Sequence, residues 1–161
     1  MANVNSVQET QTVGQVGSLS NLSVAWGTYE YTAAASATDT VTFFTLPAGT
    51  TVHAGWLTGD DLDTGTETLE IDVGDASDPD RFLDSGVITG DAFAAGNIAN
   101  VAGINYPLYE TLKDGPYTYT SDTAIIGTIV AAANAGGTGT ISLTMLCTYN
   151  DPRVSPPTKP L

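Results

Sequence analysis

From Thr68 to Val73 apolar and polar residues alternate strictly, so that Leu69, Ile71 and Val73 fall on one side of an extended chain and Glu70 and Asp72 on the other. That is the pattern of a strand with one buried and one wet face. Similar short runs recur. Gly27–Thr32 and Asp39–Leu46 are rich in Thr and aromatic residues, as strands prefer, and Pro47-Ala48-Gly49 punctuates them before Thr51–Leu57. Further on come Gly115–Thr120, Ala124–Val130 and Gly139–Leu146. The last two, joined through Asn134-Ala135-Gly136-Gly137, read as a hairpin at the centre of the core, with Ile125, Ile129, Ile141, Leu143 and Met145 pointing inward. Short strands at this spacing predict an all-β domain, an antiparallel β-sandwich or a jelly-roll-like arrangement, and not a βαβ protein.

The flanks differ from this body. Residues 1–25 are uncharged apart from Glu9 and lack helical periodicity, which predicts an extended N-terminal arm. Residues 26–149 form the β-domain, and residues 150–161 a tail whose four prolines cannot continue a sheet. Within the domain, residues 85–105 carry Gly86, Gly90, Gly96 and Gly103 and read as a long loop. The tail holds Arg153 and Lys159, half of the basic residues, and suits either a solvated terminus or a contact with an acidic neighbour.

Charge narrows the functional classes. Eighteen Asp and Glu against four Lys and Arg give a net charge of -14, which repels phosphate backbones and argues against nucleic-acid binding. Nothing after Met1 resembles a secretory leader, and no apolar run reaches membrane-spanning length, so synthesis in a cytoplasm and no membrane partner are expected. The single cysteine, Cys147, excludes an intrachain disulfide and lies in an apolar strand, where it reads as a buried small hydrophobe.

Candidate chemistry is sparse. His53 is the only histidine and has no nucleophile elbow, phosphate loop or paired metal spacing to work with, so no catalytic residue is assigned and an exposed or core-edge structural place within its strand is expected. Asp61, Asp63 and Glu67 alternate around Gly65 and are candidate calcium ligands, but an Asp-rich turn explains the same residues, and no metal or other cofactor is assigned. In the turn reading asparagine would serve at position 63 nearly as well as aspartate. The later Asp72, Asp75, Asp78, Asp80 and Asp84 read as a solvated loop bent at Pro79. Trp26, Trp56, Tyr106, Tyr109, Tyr117 and Tyr119 are either core residues or stacking surfaces for a carbohydrate- or receptor-binding module of a tail fibre or other surface structure.

The succession Asp39-Thr-Val-Thr-Phe-Phe-Thr-Leu-Pro-Ala-Gly-Thr-Thr-Val-His-Ala-Gly-Trp-Leu57, Asp60-Asp-Leu-Asp63 and Thr68-Leu-Glu-Ile-Asp-Val-Gly74 resembles capsid decoration, or cement, proteins of tailed bacteriophages. Tyr119–Ile126 and Gly137–Leu146 are similar to that family's closing hairpin, and the resemblance covers about residues 38–149. It implies a non-enzymatic virion protein on the capsid exterior, made in the host cytoplasm, that bridges major capsid subunits against internal DNA pressure. It also implies a homotrimer, and no contact residue carries over to the arm or the tail.

Overall fold

The computed structural model describes residues 3–5, 22–60, 62–63, 68–84, 106–108, 112–135 and 138–149. Among these residues ten strands run in chain order: β1 (Asn3–Asn5), β2 (Leu22–Tyr31), β3 (Thr40–Leu46), β4 (Thr50–Gly59), β5 (Glu70–Asp75), β6 (Asp78–Leu83), β7 (Tyr106–Pro107), β8 (Tyr117–Thr118), β9 (Thr123–Ala131) and β10 (Gly139–Tyr149). A short 3-10 turn, Leu112–Asp114, is the one helical element among the described residues. No helix among them is long and apolar enough to cross a membrane.

The strands form two sheets, in the orders β1-β3-β9-β5-β6 and β2-β10-β4-β7, with β8 also on β4. The inward sides meet in one core, and the all-β sandwich expected from the strand rhythm is the observed fold. Pairing is antiparallel except for β1, which lies parallel to β3 from Asn3 opposite Thr40 to Asn5 opposite Thr42. β10 alternates cleanly, burying Ile141, Leu143, Met145 and Cys147, while β9 buries Ile125 and Ile129. In β3 alternation breaks, because a register shift between Thr42 and Phe44 lets Phe43 and Phe44 both be buried.

Residues 124–146 are not the expected hairpin. β9 pairs with β3 and β5, whereas β10 pairs with β2 and β4 in the opposite sheet. Seven residues, 132–138, separate the two strands, too many for a two-residue hairpin turn, and β10 begins in the sheet opposite β9. Crossing sets the apolar side of β9 against the apolar side of β10, which side-by-side pairing would not do.

The true hairpin is β5-β6, within the stretch expected to be a solvated loop. Asp75 is buried at its turn, where Oδ1 accepts from Ser77 N and Oγ and from Asp78 N, and Oδ2 accepts from Arg81 Nε at 2.6 Å. Gly74 makes the tight return possible, since a Cβ there would overlap the Asp78 and Pro79 backbone.

β2 starts at Leu22, so the last four residues of the segment expected as an arm are paired with β10, and Ala25 is in the core. The remainder of that segment apart from β1, the stretch 85–105 and the tail 150–161 lie outside the described residues.

Candidate assembly surface

The side of β2-β10-β4 turned away from the core is the most distinctive surface of the molecule. On β2 the small residues Ser23, Ala25 and Gly27 face inward, and Leu22, Val24 and Trp26 face out. Leu22 and Val24 are 44% exposed and Trp26 51%, and only Val130 joins them as an exposed large apolar residue among those described. This reverses the ordinary placement of small and large apolar side chains on a strand.

Register extends the stripe across the sheet. Trp26 lies opposite Thr144, which lies opposite Trp56; Val24, Leu146 and Ala54 form the next row, and Thr28, Ser142 and Thr58 the row on the other side. Leu22, Thr148 and Thr51 complete the face. Threonine and serine hydroxyls there bond one another, Thr28 Oγ1 to Ser142 Oγ at 3.0 Å, while Thr58 Oγ1 donates to Ser142 O. No carboxylate lies in these four rows; Glu30 and Asp60 begin only in the following one, either side of Thr140. Among the described strands β2 is also the edge of its sheet.

His53 sits at the irregularity in β4 beside this face, where the register with β10 shifts between Leu146 and Cys147. It is exposed, and its Nε2 lies 2.8 Å from Thr148 Oγ1. Cys147 faces the core, and burial pushes its thiol up to about 12.

Asp63 does different work from a turn aspartate. It is fully buried, and its carboxylate accepts from Thr68 N at 2.8 Å, Leu69 N at 3.2 Å, Asn134 N at 3.1 Å and Ala135 N at 3.1 Å, with the Thr68 hydroxyl at 3.3 Å. Burial alone would raise its pKa, but the N–H groups of Thr68, Ala135, Asn134 and Leu69 outweigh it and hold the carboxyl at about 2. One side chain thus fastens the exit of β4, the entry to β5 and the crossing between β9 and β10. In this geometry an asparagine amide would turn N–H against N–H, so asparagine is not an equivalent acceptor here. Both Asp63 oxygens are directed at these donors, and its fellow calcium candidates Asp61 and Glu67 lie outside the described residues. Among the described residues no group of three His, Cys, Asp or Glu side chains converges as a metal ion requires.

The aromatic candidates divide between surface and interior. Tyr119 is buried and packs edge-on against Tyr117 with centroids 5.0 Å apart, both also contacting Phe82, while the Arg81 guanidinium lies over the Tyr117 ring at 4.4 Å. Trp56 is half-buried and Trp26 exposed. The Tyr106 side chain and Tyr109 lie outside the described residues. A cleft of about 120 Å³ lined by Tyr29, Tyr31, Asp39 and Thr40 is well below the roughly 300 Å³ at which small-molecule pockets begin.

Sequence reasoning singled out Trp26 and passed over Leu22 and Val24, having placed them in the arm. The available signal was the spacing Leu22-x-Val24-x-Trp26 with Ser, Ala and Gly in step, read with the large residues outward.

No protein-family model matches the chain, and no curated protein matches it. Solved structures do share the fold. A chain of the cyanophage Pam1 capsid asymmetric unit superposes with a TM-score of 0.67 at 21% identity, over 88% of this chain and 95% of that one. A chain from the capsid of Ralstonia phage GP4 gives 0.61 at 22% identity, over 92% and 99%. One from the acidic stable capsid of Helicobacter pylori bacteriophage KHP30 gives 0.56 at 17%, over 80% and 88%. The fold is therefore one found in chains of bacteriophage capsids.

Proposed function

We propose that the protein is a structural component of a tailed-phage head, a decoration or cement protein that sits on the outer shell as a homotrimer and bridges neighbouring major capsid subunits. The observation that carries this reading is the near end-to-end match to capsid chains of similar length, which covers 88% to 99% of each of those chains. A small sandwich matched over most of its length is an accessory to a shell in this reading. The neutral sheet face supports it further, since a protein that works by contact needs an uncharged patch to bury.

The action is by mass balance and needs no catalytic group. A protein that binds only the assembled shell stabilises it by about 2.7 kcal/mol per site at a free concentration of about 100 times Kd, and the contributions sum over the copies on a head. Shell opening is opposed without any bond being made or broken.

Mass spectrometry and immunogold labelling of purified virions test the proposal. The chain is expected in full heads, in many copies and reachable by antibody on intact particles. Its absence from virions would refute the capsid reading, and labelling confined to the tail would support a tail-fibre module instead.

A further inference from the structure

An edge strand carrying Leu22, Val24 and Trp26 outward is an aggregation hazard unless something covers it. Charge decides what fits. The chain carries a net charge of -14, and among the described residues Glu70 and Asp72 lie on the other sheet, Asp78 and Asp80 on β6, and Glu30 and Asp60 only at the far end of the face, outside the four neutral rows. A basic partner is drawn to those acidic surfaces and has nothing to recognise among threonines, alanine and tryptophan. Two copies of the chain, by contrast, repel each other wherever acids oppose acids, and the neutral face is where they can meet with least repulsion. Its counterpart must be equally neutral and apolar, and the chain itself supplies such a surface.

We propose that the outer face of β2-β10-β4 is the contact between copies of this chain, with Trp26 and Val24 of one copy packing on the same sheet face of the next. The inference rests on the self-association in the reading above and assigns it a surface. It also sets an unusual salt response: added salt screens the repulsion between the acidic bodies without weakening the neutral contact, so assembly tightens as ionic strength rises.

Sedimentation velocity on the isolated full-length chain, without capsids, is the test. The wild type is expected to assemble into a dimer or trimer, with a dissociation constant at least about tenfold lower near 500 mM than near 10 mM salt. Trp26→Glu is expected to remain monomeric at both, with an unchanged circular dichroism spectrum because Trp26 takes no part in the core. Val24→Lys gives a second variant on the same edge strand and should act alike. If the wild type assembles and both folded variants assemble equally well, the face is wrong while self-association stands. A wild type monomeric at every salt refutes both. A monomer whose capsid binding is abolished by Trp26→Glu gives the face to the shell, which also overturns the inference.

Discussion

The phenol of Tyr119 donates to Asp75 Oδ2 at 2.9 Å, joining the residue after β8 in one sheet to the end of β5 in the other. Asp75 also holds Arg81 and the β5-β6 turn, so the bond ties a hairpin to the opposite face of the sandwich. Tyr119→Phe should lower stability by about 1.5 to 3 kcal/mol, the range for a hydrogen bond to a charged group. Urea denaturation reads this directly; a loss below about 0.5 kcal/mol would mean the bond is not made in solution.

That bond also gives an alkaline limit. Burial, and then the adjacent Asp75 carboxylate, push the Tyr119 hydroxyl well above the ordinary tyrosine range. The folded chain keeps a proton that the unfolded chain releases, so stability is intact at neutral pH and falls above about pH 10. Tyr119→Phe should flatten this decline, as followed by melting temperature across alkaline buffers.

Asp63 sets part of the acid limit. Its folded pKa of about 2 lies below the unfolded value, so its contribution is present above about pH 4 and lost as pH falls through 2. Asp63→Asn should cost about 2 kcal/mol at neutral pH and reduce the acid sensitivity. EDTA should leave the melting temperature unchanged in both proteins; a fall of several degrees reversed by calcium would show that the acidic segment holds a metal ion.

Truncation separates the arm from the sheet. Removing residues 1–21 should keep the β spectrum and cooperative unfolding, because of the described strands only β1 is lost. Removing residues 1–25 cuts away Ser23 and Ala25, both buried, and four of the ten register pairs that β2 makes with β10. The longer deletion should therefore melt clearly lower, and equal melting of the two would mean that β2 begins later than Leu22.

Leu143 lies fully buried at the middle of β10, between Gly27 on β2 and Leu57 on β4. Leu143→Ala should cost about 2 to 5 kcal/mol by chemical denaturation. An unchanged midpoint would place the side chain outside the core.

The sequence revealed what depends on a period of two. Ile141, Leu143 and Met145 could be placed inward from alternation alone, as could Leu69, Ile71 and Val73. Which strands are neighbours was not legible, because β9 and β10 carry the same local pattern whether they pair edge to edge or face each other across a core. Asp63 and Asp75 were misjudged for a related reason: Asn134 and Tyr119, which reveal their roles, lie 71 and 44 residues away. A carboxylate surrounded by turn residues looks solvated until the fold brings distant donors to it.

The crossing between β9 and β10 also bears on how the chain is made. β9 lies between β3 and β5, and β10 between β2 and β4, so each sheet lacks a central strand until that part has been synthesised. Before residue 131 has emerged from a ribosome β3 and β5 have no ladder between them, and before residue 149 neither have β2 and β4. Among the described pairings, the β5-β6 hairpin and the three-residue β1-β3 ladder can close early. Translation therefore delivers a largely unpaired chain whose sandwich closes late and over long sequence separations, which favours slow folding. The outward Trp26 stripe is accordingly in place for a partner only after β10 has been inserted.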